Sequence, residues 1–133
     1  MKSINNVQIG LCVFAALLRF GVSESAAAVS EADAVRAIVG EASNQGERGM
    51  LAVACAIRNR GTLKGVFGSR AKHVDKQPKW VFDRARKAWA ESANKDITGG
   101  ANHWENVKAF GKPYWADSMT KTVLVKDHQF YRN

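Results

Sequence analysis

Glu41 is the acidic residue whose sequence neighbours are most suggestive of chemistry. Val35, Ile38 and Val39 precede it at the spacing of one helix face, and the polar residues 43–46 follow it. A carboxyl group at the end of such a face lies at the rim of a hydrophobic core, where loss of water favours its protonated form. A protonated carboxyl group is suited to general acid catalysis. On position alone, an exposed glutamate at a helix end is the commoner outcome.

Two helices are expected near Glu41 in the chain, one that ends close to it and one that follows it. Ser30, followed three residues later by Asp33, is typical of a helix N-cap and predicts that the first helix begins there. After the polar break at residues 43–46, a second amphipathic helix is predicted, ending near Arg60 and Gly61. Its inward positions are Met50, Val53, Ala54 and Ile57.

The rest of the chain predicts a loop, one more helix and a small sheet. Residues 61–77 contain three glycines and several cations without periodicity, which is typical of a loop. Pro78 is suited to opening a third helix, whose inward residues are Phe82, Ala85 and Trp89. A turn is expected at residues 96–101. Strands are expected at residues 122–125 and 128–131, joined by a tight connection.

The composition describes one basic domain. The chain has 133 residues, a formal net charge of +8 and a sequence pI of about 9.8. That charge favours an anionic partner, which could be nucleic acid, a membrane surface or a cell-wall polymer. The lysines and arginines are scattered and form no known nucleic-acid-binding motif, so a nucleic acid partner is not expected.

The N-terminus indicates export. Lys2 precedes an apolar run at residues 9–18, and small residues follow at 23–28, as in a secretory signal peptide. The expected boundaries are a signal segment at 1–28 and a catalytic domain at 29–133, acting in the periplasm, cell wall or extracellular space. The alternatives are a buried N-terminal helix and a weak membrane anchor that makes transient contact. Loss of the signal with Cys12 would leave Cys55 alone in an apolar helix, where cysteine is usually a small buried residue.

Four segments of the chain together resemble a known enzyme family. They are residues 40–60, with Glu41-Ala42, Gly49, Ala52-Val53 and Asn59-Arg60 in register without a gap; residues 96–103, Asp-Ile-Thr-Gly-Gly-Ala-Asn-His; residues 113–115, Pro-Tyr-Trp; and residues 128–132, His-Gln-Phe-Tyr-Arg. In this order they resemble the cell-wall hydrolases typified by the spore cortex-lytic enzymes, over roughly residues 34–132. The sequence departs from the family at residues 43–45, where Arg-Gly-Glu is usual.

The resemblance implies a fold and an activity. The fold would be lysozyme-like α+β, mainly helical, with a small β-sheet beside the substrate groove. The activity would be lytic transglycosylation of peptidoglycan, which cleaves the β-1,4 bond between N-acetylmuramic acid and N-acetylglucosamine and leaves 1,6-anhydro ends. Glu41 matches the family's catalytic glutamate. The expected substrate is peptidoglycan strands, and the enzyme is expected to be a monomer without a cofactor.

Several residues are candidates for binding the glycan, from their types and their positions in the sequence. They are Gln45, Thr98, Gly100, His103, Tyr114, Trp115, His128 and Tyr131. Histidines on strands and aromatic residues near proline are structural about as often, so a role in the fold remains the alternative for each. The three histidines match no zinc motif in their spacing, and no metal site is expected.

Two other functions remain open from sequence. One is a two-carboxylate muramidase of a phage lysis module, because ordinary glycoside hydrolysis pairs two carboxylates about 5 or 6.5–9.5 Å apart. Glu47, Asp96 and Glu105 are the candidates for the second carboxylate, and the sequence places none of them across a groove. The other is a module without catalysis, either a basic nucleic-acid-binding domain or a wall-binding protein.

Overall fold

The computed structural model describes residues 28–133, in which three helices pack together and a three-stranded sheet covers one end. Residues 1–27, with Cys12 and nearly all of the expected signal segment, lie outside the described residues. The helices are α1 (Glu31–Ala42), α2 (Gly46–Arg60), α3 (Lys79–Ser92) and the single turn α4 (Val107–Phe110). The strands are β1 (His103–Asn106), β2 (Thr120–Val125) and β3 (His128–Arg132).

Helix α1 begins and packs as the sequence predicts. The Ser30 hydroxyl accepts a hydrogen bond from the Asp33 backbone N–H at 3.1 Å, which caps one of the free donors of the first turn. The predicted face is buried, and it carries Glu41 to the last turn of the helix, beside the core.

Helix α2 is the central helix of the domain. All residues from Gly49 to Ile57 are buried, so the prediction of an amphipathic helix was wrong in this respect: α2 is covered on all sides over most of its length. Small residues on every face allow α1 and α3 to pack closely against it. The helix ends at Gly61, whose φ of 71° is the left-handed conformation that glycine adopts without strain.

The segment between α2 and α3 is more ordered than expected. Residues 61–77 contain two short 3₁₀ turns, Gly68–Arg70 and Val74–Lys76. The guanidinium group of Arg36 holds the segment against α1, because it donates to the Asp75 carboxylate at 2.8 Å and to the Ser69 carbonyl at 3.3 Å. Val74, which belongs to this segment, is fully buried.

The sheet is antiparallel in the order β1-β3-β2. Strand β1 pairs with β3 so that His103 lies opposite Tyr131 and Trp104 opposite Phe130. Phe130 is fully buried and joins the sheet to the helical core. The predicted strands in the tail are present, although β2 starts two residues earlier than expected, and α4 was not anticipated.

The β2–β3 turn is fastened to the α1–α2 connection through Gln45. The Gln45 side chain donates to the Asp127 carboxylate at 3.1 Å and accepts from the Asp127 backbone N–H at 3.1 Å. Gln45 is 1% exposed, so these bonds form inside the protein. They fix the sheet relative to the end of α1, where Glu41 lies.

Cys55 lies in the core of the domain. Cys55 is a buried free thiol that donates to the Lys95 carbonyl at 3.3 Å, which agrees with its predicted role as a small core residue. Within residues 28–133, no helix combines the length and the apolar character that crossing a membrane requires.

Candidate active site

The Glu41 carboxyl group is held by two hydrogen bonds from distant parts of the chain. The backbone N–H of Gly68 donates to Oε1 at 3.0 Å, and the indole N–H of Trp104 donates to Oε2 at 3.3 Å. Burial is the main influence on the pKa of Glu41 and raises it above the ordinary value. The hydrogen bonds from Trp104 and Gly68 oppose this effect, and the charge of Glu105 adds to it. The net result favours the protonated form, which a general acid requires.

Two glycines allow the loop to approach Glu41 so closely. A Cβ atom on Gly40 would lie 1.8 Å from the carbonyl oxygen of Gly68, and a Cβ atom on Gly68 would lie 2.7 Å from both Cγ and Oε1 of Glu41. Neither glycine has a positive φ, so they are required here for space and not for backbone conformation. Together they bring the Gly68 N–H within hydrogen-bonding distance of the carboxylate.

Glu41 opens onto a groove formed by two neighbouring cavities. The larger cavity has a volume of about 520 Å³ and the smaller about 390 Å³, and Glu41 and Glu105 line both. The two cavities therefore meet at these carboxyl groups. The larger is walled mainly by Arg60, Gly65, Val66, Phe67, His103, Trp104, Trp115 and Met119. The smaller is walled mainly by Ser43, Asn44, His73, Asn106, Phe110 and His128.

Aromatic rings form the sheet-side wall of the larger cavity. The rings of His103 and Trp115 lie 5.5 Å apart, and Tyr131 contacts Trp115 edge-on at 5.1 Å. Tyr131 is 3% exposed, so it supports Trp115 from behind. Trp104, with its N–H directed at Glu41, completes the wall. Such a wall presents flat apolar faces of the kind that stack on sugar rings.

The structure brings some of the predicted binding residues to the groove and not others. His103 and Trp115 line the larger cavity and His128 the smaller one. Tyr131 lies behind the wall. Tyr114 is 93% exposed and lines neither cavity.

Gln45, Thr98 and Gly100 have roles in the fold. Gln45 is buried against the Asp127 turn, as described above. The Asp96 carboxylate accepts hydrogen bonds from the hydroxyl and backbone N–H of Thr98 and from the backbone N–H of Gly100. None of the three lines either cavity, so the structure gives no support for contact between these residues and the glycan.

Among the candidates for a second carboxylate, only Glu105 shares the groove with Glu41. Glu47 lies in the first turn of α2, 3.7 Å from Arg84 of α3, and Asp96 is engaged in the turn. Glu105 lies next to Trp104 on β1, and its charge raises the pKa of Glu41.

Two histidines of the groove have pKa values below the ordinary value. Burial lowers the pKa of His128, and burial together with Arg60 lowers that of His103. Within residues 28–133, no three side chains of His, Cys, Asp or Glu lie close enough to hold a metal ion.

Sequence reasoning missed several residues of the site. Gly68, Phe67 and Arg60 lie in or beside the loop, whose sequence has no periodic pattern. Trp104 had a usable signal, because it directly follows His103 in a segment already assigned to the groove. Glycines in a loop opposite an apolar helix are a weaker signal of close backbone approach.

The raised pKa of Glu41 predicts a pH-dependent effect on stability. Because the folded state binds this proton more tightly than the unfolded state, the contribution of Glu41 to stability is full below the unfolded pKa, near 4.3, and is lost as the pH rises through the folded pKa. The variant Glu41→Gln removes this dependence. It is expected to melt at a higher temperature than the wild type at pH 7, with a smaller difference at pH 4. Thermal unfolding followed by circular dichroism tests this; an equal difference at both pH values would contradict it.

Comparison with known proteins supports the fold assignment. No protein-family model matches the chain, and no curated protein does. Two solved structures resemble it. The catalytic domain of the germination-specific lytic transglycosylase SleB from Bacillus anthracis is 24% identical, with a TM-score of 0.58 over 77% of this chain and 93% of that one. The catalytic domain of the Bacillus cereus SleB protein is 22% identical, with a TM-score of 0.57 over 77% and 88%. The predicted α+β fold, mainly helical with a small sheet beside the groove, is thus confirmed as the fold of these SleB catalytic domains.

Proposed function

We propose that this protein is an exported lytic transglycosylase that cleaves the glycan strands of peptidoglycan. The observation that carries the proposal is the setting of Glu41: its carboxyl group is partly buried, has a raised pKa and opens at the meeting point of two cavities. A strand lying along the groove would pass over this group with sugars on both sides. The fold shared with a lytic transglycosylase domain supports the reaction type. The signal-like sequence at residues 1–28 supports access to the cell wall.

In the first step of the proposed reaction, Glu41 acts as a general acid. Its proton passes to the oxygen that links C1 of N-acetylmuramic acid to the next sugar, and the C1–O bond breaks. Positive charge develops at C1 and the ring oxygen as the leaving sugar departs with its new hydroxyl group. The Glu41 carboxylate formed in this step, with Glu105 nearby, stabilises that charge.

In the second step, Glu41 acts as a general base. It takes the proton from the 6-hydroxyl of the same muramic acid residue while that oxygen attacks C1, which closes a 1,6-anhydro ring. The proton returns to Glu41, so the enzyme is restored and no water is consumed. One carboxyl group therefore suffices for the whole reaction.

Hydrolysis with two carboxylates is the second candidate, and Glu105 is the observation that favours it. In that reaction Glu105 would act on a water molecule or on C1 itself, depending on its distance from Glu41 with substrate bound.

The product distinguishes the two candidates. Mass spectrometry of fragments released by the purified protein is expected to find ends that weigh one water less than hydrolysed ends and resist reduction by borohydride. EDTA is expected to leave the rate unchanged, because neither step uses a metal ion. Fully reducible ends would contradict the transglycosylase reaction. If the Glu105→Gln variant then released anhydro ends in place of reducible ones, hydrolysis would be assigned to Glu105.

A further inference from the structure

The loop that forms one edge of the groove carries an unusual concentration of unpaired positive charge. Residues 61–77 include one acidic side chain, Asp75, which is occupied by Arg36. The cations of this segment form what we call the basic rim. Its members are Lys64, Arg70, Lys72 and Lys76, all of them exposed, and none has an acidic partner within 4 Å among residues 28–133.

The segment that carries the basic rim contributes residues to both cavities. Lys64 directly precedes Gly65, Val66 and Phe67, which line the larger cavity, and Lys72 directly precedes His73, which lines the smaller one. Arg70 lies in the 3₁₀ turn that starts at Gly68, whose N–H contacts Glu41. The contacts of Arg36 with Ser69 and Asp75 hold this segment, which lines both cavities, against α1.

Two cations in the segment between β1 and β2 differ from the basic rim. Lys108 and Lys112 are each paired with an acidic residue, Asp127 at 3.8 Å and Asp117. The charge of the basic rim, in contrast, is not offset by a neighbouring carboxylate. An anionic group on a bound strand would be attracted to the loop side.

We propose that the basic rim binds the carboxylates of the stem peptides that project from the glycan strand. The inference rests on the proposed function. In a strand of peptidoglycan, the carboxyl group of each muramic acid is consumed in the amide bond to its stem, so the negative charge next to the sugars lies in the stems. A strand in the groove would direct stems on one side toward the rim, and the enzyme would prefer stem-bearing strands to bare, uncharged ones.

Three preparations of one cell wall test this proposal. The first is intact wall, and the second is wall stripped of phosphodiester-linked polymers by hydrofluoric acid. The third is the second after an amidase has removed the stems and the lactyl carboxylates that this frees have been converted to methylamides, so that no negative charge remains next to the sugars. The wild type is expected to have similar kcat/KM on the first two and a lower value on the third. An exposed ion pair changes binding by roughly twofold to fivefold, so several together predict a difference on the order of tenfold.

Matched variants identify the residues responsible. The test variant is Arg70→Gln/Lys72→Gln/Lys76→Gln, and it is expected to lose most of the preference for stems. The control removes the same charge from three exposed cations that lie outside residues 61–77, in the variant Arg48→Gln/Lys121→Gln/Arg132→Gln, and is expected to keep that preference. The preference of the wild type should also shrink between ~0.01 and ~1 M salt, as the Debye length falls from about 30 to about 3 Å.

Each contrary outcome overturns the proposal in its own way. Equal kcat/KM on the second and third preparations would exclude stem recognition. A fall in kcat/KM only between the first and second preparations would mean that the basic rim binds phosphodiester polymers instead of stems. Equal behaviour of the two variants would remove the basic rim from the explanation. Co-sedimentation of the Glu41→Gln chain with the three preparations measures binding without cleavage. The wild type could cleave none of the three preparations while the Glu41→Gln chain still co-sediments better with stem-bearing wall. That result would refute the proposed function and leave the binding proposal standing.

Discussion

Replacing Glu41 by Gln is expected to reduce cleavage of purified peptidoglycan by about 10²–10⁴-fold, the range that a general acid usually contributes. Glutamine has nearly the same size and can still accept one of the hydrogen bonds that Gly68 and Trp104 donate. It has no acidic proton to give to the glycosidic oxygen. The rate is measured as the fall in turbidity of a wall suspension and as the release of soluble muropeptides.

Glu47→Gln is the matched control for this variant. It makes the same chemical change at an exposed residue that lies 3.7 Å from Arg84 and lines neither cavity of the groove, and activity close to the wild type is expected. Circular dichroism and the melting temperature check that both variants fold. A Glu41→Gln protein that keeps activity within a few-fold of the wild type would remove Glu41 from the acid role and would leave Glu105 as the remaining carboxyl group of the groove.

The elements that surround Glu41 could be predicted because their signals are local. Each of these signals involves only residues close together in the chain: the Ser30 cap, the apolar spacing through Val39 and the glycine at position 61. Each has the expected role in the structure. The strands in the tail have the same kind of local signal. The fully buried character of α2 was not predicted, because an alanine-rich helix with polar ends has the same pattern whether it is covered on one side or on all sides.

The contacts that complete the site could not be predicted in the same way. Trp104 is 63 residues from Glu41 in the chain, and Gln45 is 82 residues from Asp127, so no local pattern connects them. Gln45 and Thr98 were candidates for binding the glycan, because sequence position alone does not show which way a side chain points. Both side chains turn inward, where they hold the turns that shape the groove.

Because Gly68 lies so close to α1, we expect that adding a side chain at Gly40 lowers the stability of the fold. In an ordinary helix, replacing glycine by alanine stabilises the helix by roughly 1 kcal/mol. At Gly40 the opposite is expected, because the new Cβ atom would overlap backbone atoms of Gly68 at 1.8–2.6 Å. Overpacking of this kind costs about 1–3 kcal/mol or more. The Gly40→Ala variant should therefore melt at a lower temperature and lose at least about tenfold in activity, a loss of more than about 1.4 kcal/mol in transition-state stabilisation, as the loop moves away from Glu41.

Gly68→Ala separates the effect on the acid from the effect on the fold. Its Cβ atom would meet the side chain of Glu41, at 2.7 Å, and not the backbone of the helix. Because a side chain can rotate away where a backbone cannot, this variant is expected to lose activity with a smaller loss of stability than Gly40→Ala. Ser69→Ala, in the same 3₁₀ turn, is the control, since the Ser69 contact with Arg36 is made by its backbone carbonyl. Wild-type activity in Gly68→Ala would mean that the position of the Glu41 carboxyl group does not depend on the loop.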